Sequence, residues 1–308
     1  MGSFNTFIDI VKNNRDQFGA ALLLKLSTKQ LLNWMPDKAF LKLRYRVIFH
    51  KKLSFKNPET FSEKLQWMKL YDRNPEYIKL VDKYEVRNYV SEKIGEEYLI
   101  PLLGVYNSPE EIDYDTLPDQ FVLKCNHDSG SVVICRDKST FDKTAANKKL
   151  SYHLGRNLFY WGREWPYKLV KPCIVAEEFL SELSGDVPDY KIFCFDGKPK
   201  VILLCADRFT TGLKENFYDT EWNLLPVKRP LFPNTDYTVE KPGTLDEMLR
   251  LAEILAENKP FSRIDFYDVN GKIYFGEITF FPASGFEEFE PEEWDYKLGE
   301  WMNFPEKK

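Results

Sequence analysis

The sequence is poor in the side chains that make covalent or soft-metal chemistry. Its five cysteines, Cys125, Cys135, Cys173, Cys194 and Cys205, form no C-x-x-C pair, and each lies in an apolar, strand-like run where cysteine behaves as a small hydrophobe. Disulfides and a structural zinc are therefore not expected. Three histidines, His50, His127 and His153, are too few for a histidine-rich metal site, so any bound cation would be a hard one held by carboxylate oxygens. Long apolar runs are missing as well. The longest near the start, Phe18–Leu24, falls far short of the ~20 residues of a membrane span, and no small-residue cleavage site follows it. No internal repeat points to a solenoid, and no Ser-His-Asp or Cys-His arrangement points to an acyl-enzyme route. The expectation is a soluble, cytoplasmic chain without a nucleic-acid partner.

What is present is the balance of a folded protein: 308 residues, 43% hydrophobic and 16% aromatic, enough for two packed units or one elaborate one. The net charge of −5 is unevenly placed. Residues 1–56 carry 11 Lys and Arg against 3 Asp, a balance of +8, which leaves −13 on the remainder. Such a segment can face an anionic polymer or membrane lipid, or be a solvated helical face.

The first 75 residues read as helical. Thr60-Phe61-Ser62-Glu63 is a capping box, and Phe61, Leu65, Met68 and Tyr71 follow at helical spacing. A further helix is predicted from about Leu80 to just before Gly95, and a short one at Ser108-Pro109-Glu110-Glu111. From Phe121 the period changes to that of strands. Phe121–Cys125 and Val132–Cys135 flank the polar loop Asn126-His127-Asp128-Ser129-Gly130-Ser131, and a helix starts at Ser139 or Thr140 and runs to about Leu154. Then come a strand over Cys173–Phe179 and a hairpin pairing Tyr190–Phe195 with Lys200–Cys205 about Asp196-Gly197. Thr244-x-x-Glu247 caps a helix with Leu245, Met248, Leu249, Ala252 and Leu255 on one stripe.

The last hairpin, Arg263–Asp268 with Lys272–Phe280, carries charge on one face. With Val269-Asn270-Gly271 as a three-residue loop, Arg263 lies opposite Glu277 and Asp265 opposite Phe275. Arg263, Asp265, Glu277 and Thr279 then share one face, and Ile264, Phe266, Tyr274 and Ile278 the other. A two-residue Asn-Gly loop would move Asp265 and Glu277 to opposite faces. Two carboxylates on a sheet diagonal, about 7–8 Å apart, can converge on a divalent cation such as Mg²⁺ bridging nucleotide phosphates, or Arg263 and Glu277 can form a cross-strand ion pair. The turn Phe281-Pro282-Ala283-Ser284-Gly285 beyond them suits backbone contact with an anion.

Arg263-Ile264-Asp265, then Glu277-Ile278-Thr279 twelve residues beyond the Asp and the Pro282–Gly285 turn, form an ordered set with Phe121-Val122-Leu123-Lys124 and Asp82-Lys83-Tyr84 upstream. This set resembles the ATP-grasp superfamily, and within it the teichuronopeptide-biosynthesis (TupA-like) branch, over roughly residues 50–300. The resemblance implies an α+β ATP-grasp fold in which two α+β subdomains clasp a nucleotide. Residues 1–75 would be the helical, basic N-terminal segment, 76–180 the N-terminal subdomain and hinge, and 181–308 the C-terminal subdomain with the metal-site hairpin.

By the same resemblance, Asp265 and Glu277 are the Mg²⁺-binding acids, Arg263 steadies the transferred phosphate, and Thr279 takes the third ligand position, usually Asn. Lys83 and Lys124 contact the ATP phosphates, under a loop whose Ser129, Gly130 and Ser131 stand where the superfamily is richer in glycine. Glu177, Glu178, Phe179 and Leu180 form the adenine hinge. Asp189-Tyr190-Lys191 and Asp207-Arg208 recur in the branch, with Lys191 and Arg208 binding phosphate or a substrate carboxylate, or paired with acids. His127 is read as a loop residue, and Trp161 and Trp165 as packing.

The reaction implied is ATP-dependent activation of a carboxylate as an acyl phosphate, followed by amide formation with an amine. The branch implies a place in bacterial surface polysaccharide synthesis (capsule, O-antigen or teichuronopeptide), joining an amino acid or amine to a uronic acid or acidic polymer. The basic segment would suit peripheral contact with the inner membrane face. Three other readings stand beside this one: a glycosyltransferase taking a nucleotide sugar, an ATP-grasp phosphotransferase, and a non-catalytic glycan-binding protein with aromatic platforms.

Overall fold

The computed structural model describes residues 25–27, 31–180, 187–208 and 210–304. The apolar run Phe18–Leu24 and part of the basic segment lie outside the described residues. Among the described residues no helix is long and apolar enough to cross a membrane.

Helices α1 (Asp37–Phe49), α2 (Phe61–Tyr71), α3 (Glu76–Val81) and α4 (Val86–Lys93) precede the first strand. The Thr60 hydroxyl opens α2 by accepting from the Glu63 N–H at 3.2 Å, and the Glu63 carboxylate reaches past Thr60 to the N–H groups of Glu59 (2.9 Å) and Ser54 (3.2 Å). Phe61, Leu65 and Met68 are buried, whereas Tyr71 is exposed. The helix expected from Leu80 to Gly95 is broken. Asp82 Oδ1 accepts from the N–H groups of Tyr84 (2.8 Å) and Glu85 (3.3 Å), an Asx-type turn that ends α3 and restarts the chain as α4. Lys83 therefore stands in a turn instead of on a helix face.

Strands β1 (Leu102–Tyr106), β2 (Phe121–Cys125), β3 (Val133–Cys135) and β4 (Ile174–Glu178) form an antiparallel sheet in the order β1-β4-β2-β3. Phe121, Leu123 and Cys125 alternate onto the face that packs against α5 (Lys143–Leu154) through Leu150. Asp142 caps α5 by accepting from the Ala145 N–H at 2.9 Å, so Ser139 and Thr140 fall in a preceding 3₁₀ turn and not at the helix start. A short helix, α6 (Phe159–Gly162), follows.

The second sheet is antiparallel in the order β7-β6-β5-β8-β9, with β5 (Asp189–Phe195), β6 (Lys198–Ala206), β7 (Lys214–Tyr218), β8 (Phe261–Val269) and β9 (Lys272–Thr279). Helix α7 (Leu245–Leu255) buries Leu245, Met248, Leu251, Ala252 and Leu255, with Leu249 half-buried beside them. The Thr244 hydroxyl does not cap α7; it bonds the Asp268 carboxylate of β8 instead. Helix α8 (Glu293–Glu300) lies against α2, where the Asp295 carboxylate accepts from the Ser62 N–H at 2.8 Å. Phe61 packs edge-on or tilted against Phe193, Phe195 and Phe261 of this sheet, so α2 and the sheet share one core. All five cysteines are buried free thiols.

The last hairpin differs from expectation in a way that matters. Its loop has two residues, Asn270 and Gly271, both with positive φ (53° and 82°), the geometry that suits the twist of the flanking strands. Val269 pairs with Lys272 and Phe266 with Phe275, but the register shifts before Asp265, which pairs with Glu277; Gly276 is the unopposed extra residue. This β-bulge restores the acids to one face, directly opposite each other instead of on a diagonal. Arg263 lies opposite Thr279, not Glu277, and the core face carries Ile264, Phe266, Ile273, Phe275 and Ile278, with Tyr274 opposite Tyr267 on the other side.

Candidate active site

The Arg263, Asp265, Glu277 and Thr279 side chains form one hydrogen-bonded group on the polar face of β8 and β9. Arg263 donates from Nε to Asp265 Oδ1 (2.7 Å) and from one terminal nitrogen to Asp265 Oδ2 (2.6 Å), Glu277 Oε1 (2.9 Å) and Thr279 Oγ1 (3.2 Å). The Thr279 hydroxyl also donates to Glu277 Oε1 at 3.1 Å. Lys191, facing Asp265 from β5, places its ammonium 2.6 Å from both Asp265 and Asp189. Burial alone would lower the pKa values of Lys191 and Arg263, but the surrounding carboxylates raise both, so each stays charged. Burial likewise pushes the Glu277 carboxyl up, yet Lys83, Arg263, Lys191 and the Thr279 hydroxyl together bring it down to about 2. Glu277 is therefore an anion across the physiological range, with its side chain 34% exposed where Asp265 is 2% exposed.

A cavity of about 350 Å³ opens over this group. Arg263, Glu277 and Thr279 line one side, and Lys83, Asp128 and Ser129 reach it from the turn before α4 and the loop after β2. The Lys83 ammonium joins the two, donating to the Asp128 carbonyl at 2.8 Å and lying 3.5 Å from Glu277 Oε2. The loop is held by its own side chains. The Ser131 hydroxyl accepts from the Cys125 N–H (2.8 Å) and donates to Asp128 Oδ1 (2.6 Å), while the other Asp128 oxygen bonds His153. Gly130 is exposed at φ 95°. His127 is buried between Asn126 Oδ1 and the Arg156 carbonyl, and burial lowers its pKa, which makes it a neutral scaffold residue of the loop.

The remaining sequence candidates do not line this cavity. Lys124 shares a sheet face with Glu177 and places its ammonium 2.5 Å from that carboxylate, which Arg87 also approaches at 3.5 Å. Glu178 is exposed, Phe179 and Leu180 are half-buried, and the Arg136 guanidinium lies 5.0 Å from the Phe179 ring. Arg208 is half-exposed and reaches Asp189 at 3.4 Å.

The rest of the lining joins a stretch that no motif marked to the turn that the sequence singled out. Residues 156–167 supply Arg156, Tyr160, Trp161, Glu164 and Tyr167, and the turn after β9 supplies Ala283 and Ser284. That turn is strained, with Ala283 at φ 44° and Ser284 at φ 57°, and its Ser284 N–H bonds the Phe281 carbonyl instead of facing an anion. Beneath it the buried Lys69 ammonium donates to the carbonyls of Gly162 and Ser284 (2.7 Å each) and to Gln66 Oε1 (3.0 Å), tying α2 to both segments. Burial drives the Lys69 pKa well down, opposed by Glu164. Contact here is close enough that a Cβ on Gly162 would stand 1.9 Å from Ser284 Oγ. Gly162→Ala is expected to cost about 1–3 kcal/mol by overpacking, readable as a lowered midpoint in denaturant unfolding.

Among the described residues no three His, Cys, Asp or Glu side chains cluster as a metal-binding set. Asp265, Glu277 and Thr279 nevertheless form an oxygen-only set on one face, the donor chemistry of a hard cation, with Glu277 and Thr279 at the cavity and both Asp265 oxygens held by Arg263 and Lys191.

Comparison with solved structures finds several ligases at low identity. D-alanine–D-alanine ligase from Bacillus anthracis, complexed with ATP, is 16% identical with a TM-score of 0.37, covering 65% of this chain and 53% of that one. The chain thus spans about half of that enzyme's length. The ATP-grasp ligase PsnB, complexed with a phosphomimetic variant of its minimal precursor, Mg and ADP, is 12% identical (TM-score 0.40, 82% of this chain and 65% of that one). D-cycloserine synthetase DcsG is 11% identical (TM-score 0.41, 73% and 70%). No curated protein matches the sequence. The sequence profile of the TupA-like ATP-grasp proteins matches residues 63–303, more than half of the chain, and this protein belongs to that family.

Proposed function

We propose that this protein is a cytoplasmic, ATP- and Mg²⁺-dependent carboxylate–amine ligase of bacterial surface polysaccharide synthesis, joining an amino acid or amine to a uronic acid or other acidic polymer. The observation that carries the reading is the shared cavity wall of Lys83, Arg263, Glu277 and Thr279, which gathers charges suited to a transferring phosphoryl group. Asp265, Glu277 and Thr279 would hold Mg²⁺, which supplies charge neutralisation on the phosphates when bound. Arg263 would steady the γ-phosphoryl group, and Lys83 and Lys124 the rest of the triphosphate, with adenine at Glu177–Leu180. Lys191 stands on the same sheet face as Asp265 with Arg208 reaching Asp189 beside it, and Ser129 would cover the phosphates while Gly130 and Ser131 shape the loop that carries it.

In the first step a carboxylate oxygen attacks the γ-phosphorus, the bond to the β-phosphate oxygen breaks, and ADP leaves. In the second the amine nitrogen attacks the acyl carbon, and the C–O bond to phosphate breaks. The ammonium's two surplus protons go to phosphate and to solvent. Tyr160, Trp161 and Phe281 around the cavity limit water's access to the acyl phosphate. The basic N-terminal segment supports contact with an acidic glycan or with the inner membrane face.

The test is calorimetric titration with a non-hydrolysable ATP analogue and Mg²⁺ beside UDP-sugars, followed by screening uronic acids with amines for ADP release. Analogue binding with acid- and amine-dependent ADP release is expected. UDP-sugar binding without ATP binding would replace the ligase with a glycosyltransferase, and ADP release without an amine, leaving a stable phosphorylated product, would make it a phosphotransferase. Lys124→Ala is expected to weaken analogue binding by about 10–100-fold, the loss of one charged hydrogen bond, while unchanged affinity would remove Lys124 from the nucleotide site.

A further inference from the structure

The proposed phosphate ligand Lys124 has its charge spent on an acid in this structure. Lys124 on β2 and Glu177 on β4 lie on the sheet face turned away from α5, and among the described residues the Lys124 ammonium pairs with Glu177 alone, 2.5 Å from Oε2. The two side chains are 14% and 6% exposed. A lysine that turned from Glu177 to a phosphate would strand a buried carboxylate, and a buried charge left without its partner costs far more than the intact pair contributes.

A second cation is within reach of the same acid. Arg87, in the first turn of α4, reaches the other Glu177 oxygen, Oε1, with one terminal nitrogen at 3.5 Å. That distance is slack beside the ~2.7–2.9 Å of a charge-assisted hydrogen bond. Among the described residues it is the one hydrogen bond or ion pair of the guanidinium, on a side chain 15% exposed, so a fork able to grip a carboxylate by two parallel bonds is built and unused. The start of α4 is in turn fixed to the end of β2 that carries Lys124, because the Lys83 N–H donates to the Asn126 carbonyl at 3.1 Å and the Lys83 ammonium to that of Asp128 at 2.8 Å.

We propose that Arg87 is a positioning residue for nucleotide binding, closing onto Glu177 as Lys124 leaves it for the triphosphate. This rests on the ligase reading and deepens it by naming the exchange of counter-charges that frees Lys124. The wild type, Arg87→Gln, Glu177→Gln and the double variant are titrated with the non-hydrolysable ATP analogue and Mg²⁺, with Lys124→Ala beside them. Arg87→Gln is expected to weaken analogue binding by at least about tenfold, the loss of a charged hydrogen bond. The melting temperature of the nucleotide-free protein should not move, because Lys124 still neutralises Glu177 there. In the Glu177→Gln background no charge is left to strand, and the same substitution is expected to change affinity by less than about twofold, the non-additivity of two residues that act through one another. Arg87→Lys, which keeps the charge without the fork, is expected to fall between. Wild-type affinity in Arg87→Gln would overturn the assignment, and so would an equal loss in both backgrounds, which gives the guanidinium to the nucleotide itself. A lowered melting temperature without nucleotide would make Arg87 a support of the fold and overturn it too. Unchanged affinity in Lys124→Ala, or failure of the wild type to bind the analogue, would strike the reading beneath the proposal and the proposal with it, whereas a loss in Lys124→Ala with none in Arg87→Gln strikes Arg87 alone.

Discussion

Glu277→Gln is expected to lower kcat by about 10²–10³-fold, the range for losing one group that stabilises transition-state charge, and to leave the fold almost unmoved. The side chain is isosteric, stands at the cavity and is one-third exposed, so Arg263 and Lys83 lose a counter-charge that solvent partly screens. Stability should therefore shift by no more than about 1 kcal/mol. Rates of ADP release with saturating acid and amine, read beside thermal melts, check both halves. Turnover near the wild-type rate would remove Glu277 from the chemistry. A large drop in melting temperature would instead make it a structural residue.

Arg263→Gln should injure both properties. Asp265 is 2% exposed and would lose the fork that satisfies its two oxygens, keeping only the Lys191 ammonium at 2.6 Å. Breaking such a buried pair costs about 3–5 kcal/mol, which for a chain of this size is a melting temperature lower by roughly 5–8 °C. Activity is expected to fall by about 10³-fold, since the same nitrogen also orders Glu277 and Thr279. Adding Asp265→Asn removes the stranded charge and should recover part of the stability and none of the turnover. A double variant as unstable as the single would show that the fork is not what holds the strand pair.

Most strands and helices could be read from residue types because each rests on local chemistry, whereas the α+β class came with the family resemblance and the shared face of the charged hairpin was reached through a three-residue loop that a two-residue turn and a bulge replace. Thr60 opens its helix through the Glu63 N–H three residues on, and Asp196-Gly197 turns a hairpin by backbone preference alone. What could not be read depends on long-range competition. Asp82 has the choice of continuing a helix or capping a new one, and the turn that results is what brings Lys83 to the loop after β2. The Thr244 hydroxyl prefers a carboxylate on β8 to its own helix end. Residues 156–167 follow no period and carry no motif, so Arg156 and Glu164 come to the cavity only through the burial of the chain around them. Lys69 reads as an ordinary helix-surface lysine, and only the carbonyls of two distant turns make it an interior one.

The bulge at Gly276 changes how the twelve-residue interval between Asp265 and Glu277 should be counted. It is the sum of a short turn and an extra strand residue, and neither is meaningful alone. Removing Gly276 while keeping the Asn270-Gly271 turn would leave a regular hairpin with Glu277 still opposite Asp265, whereas a regular register that kept Gly276 would seat the glycine opposite Asp265 and aim Glu277 into the core. When related sequences are aligned over this hairpin, a lone gap at position 276 should therefore mark a hairpin without the bulge and with both acids still on one face, and a relative that keeps the twelve-residue interval without the bulge should carry a turn longer by one.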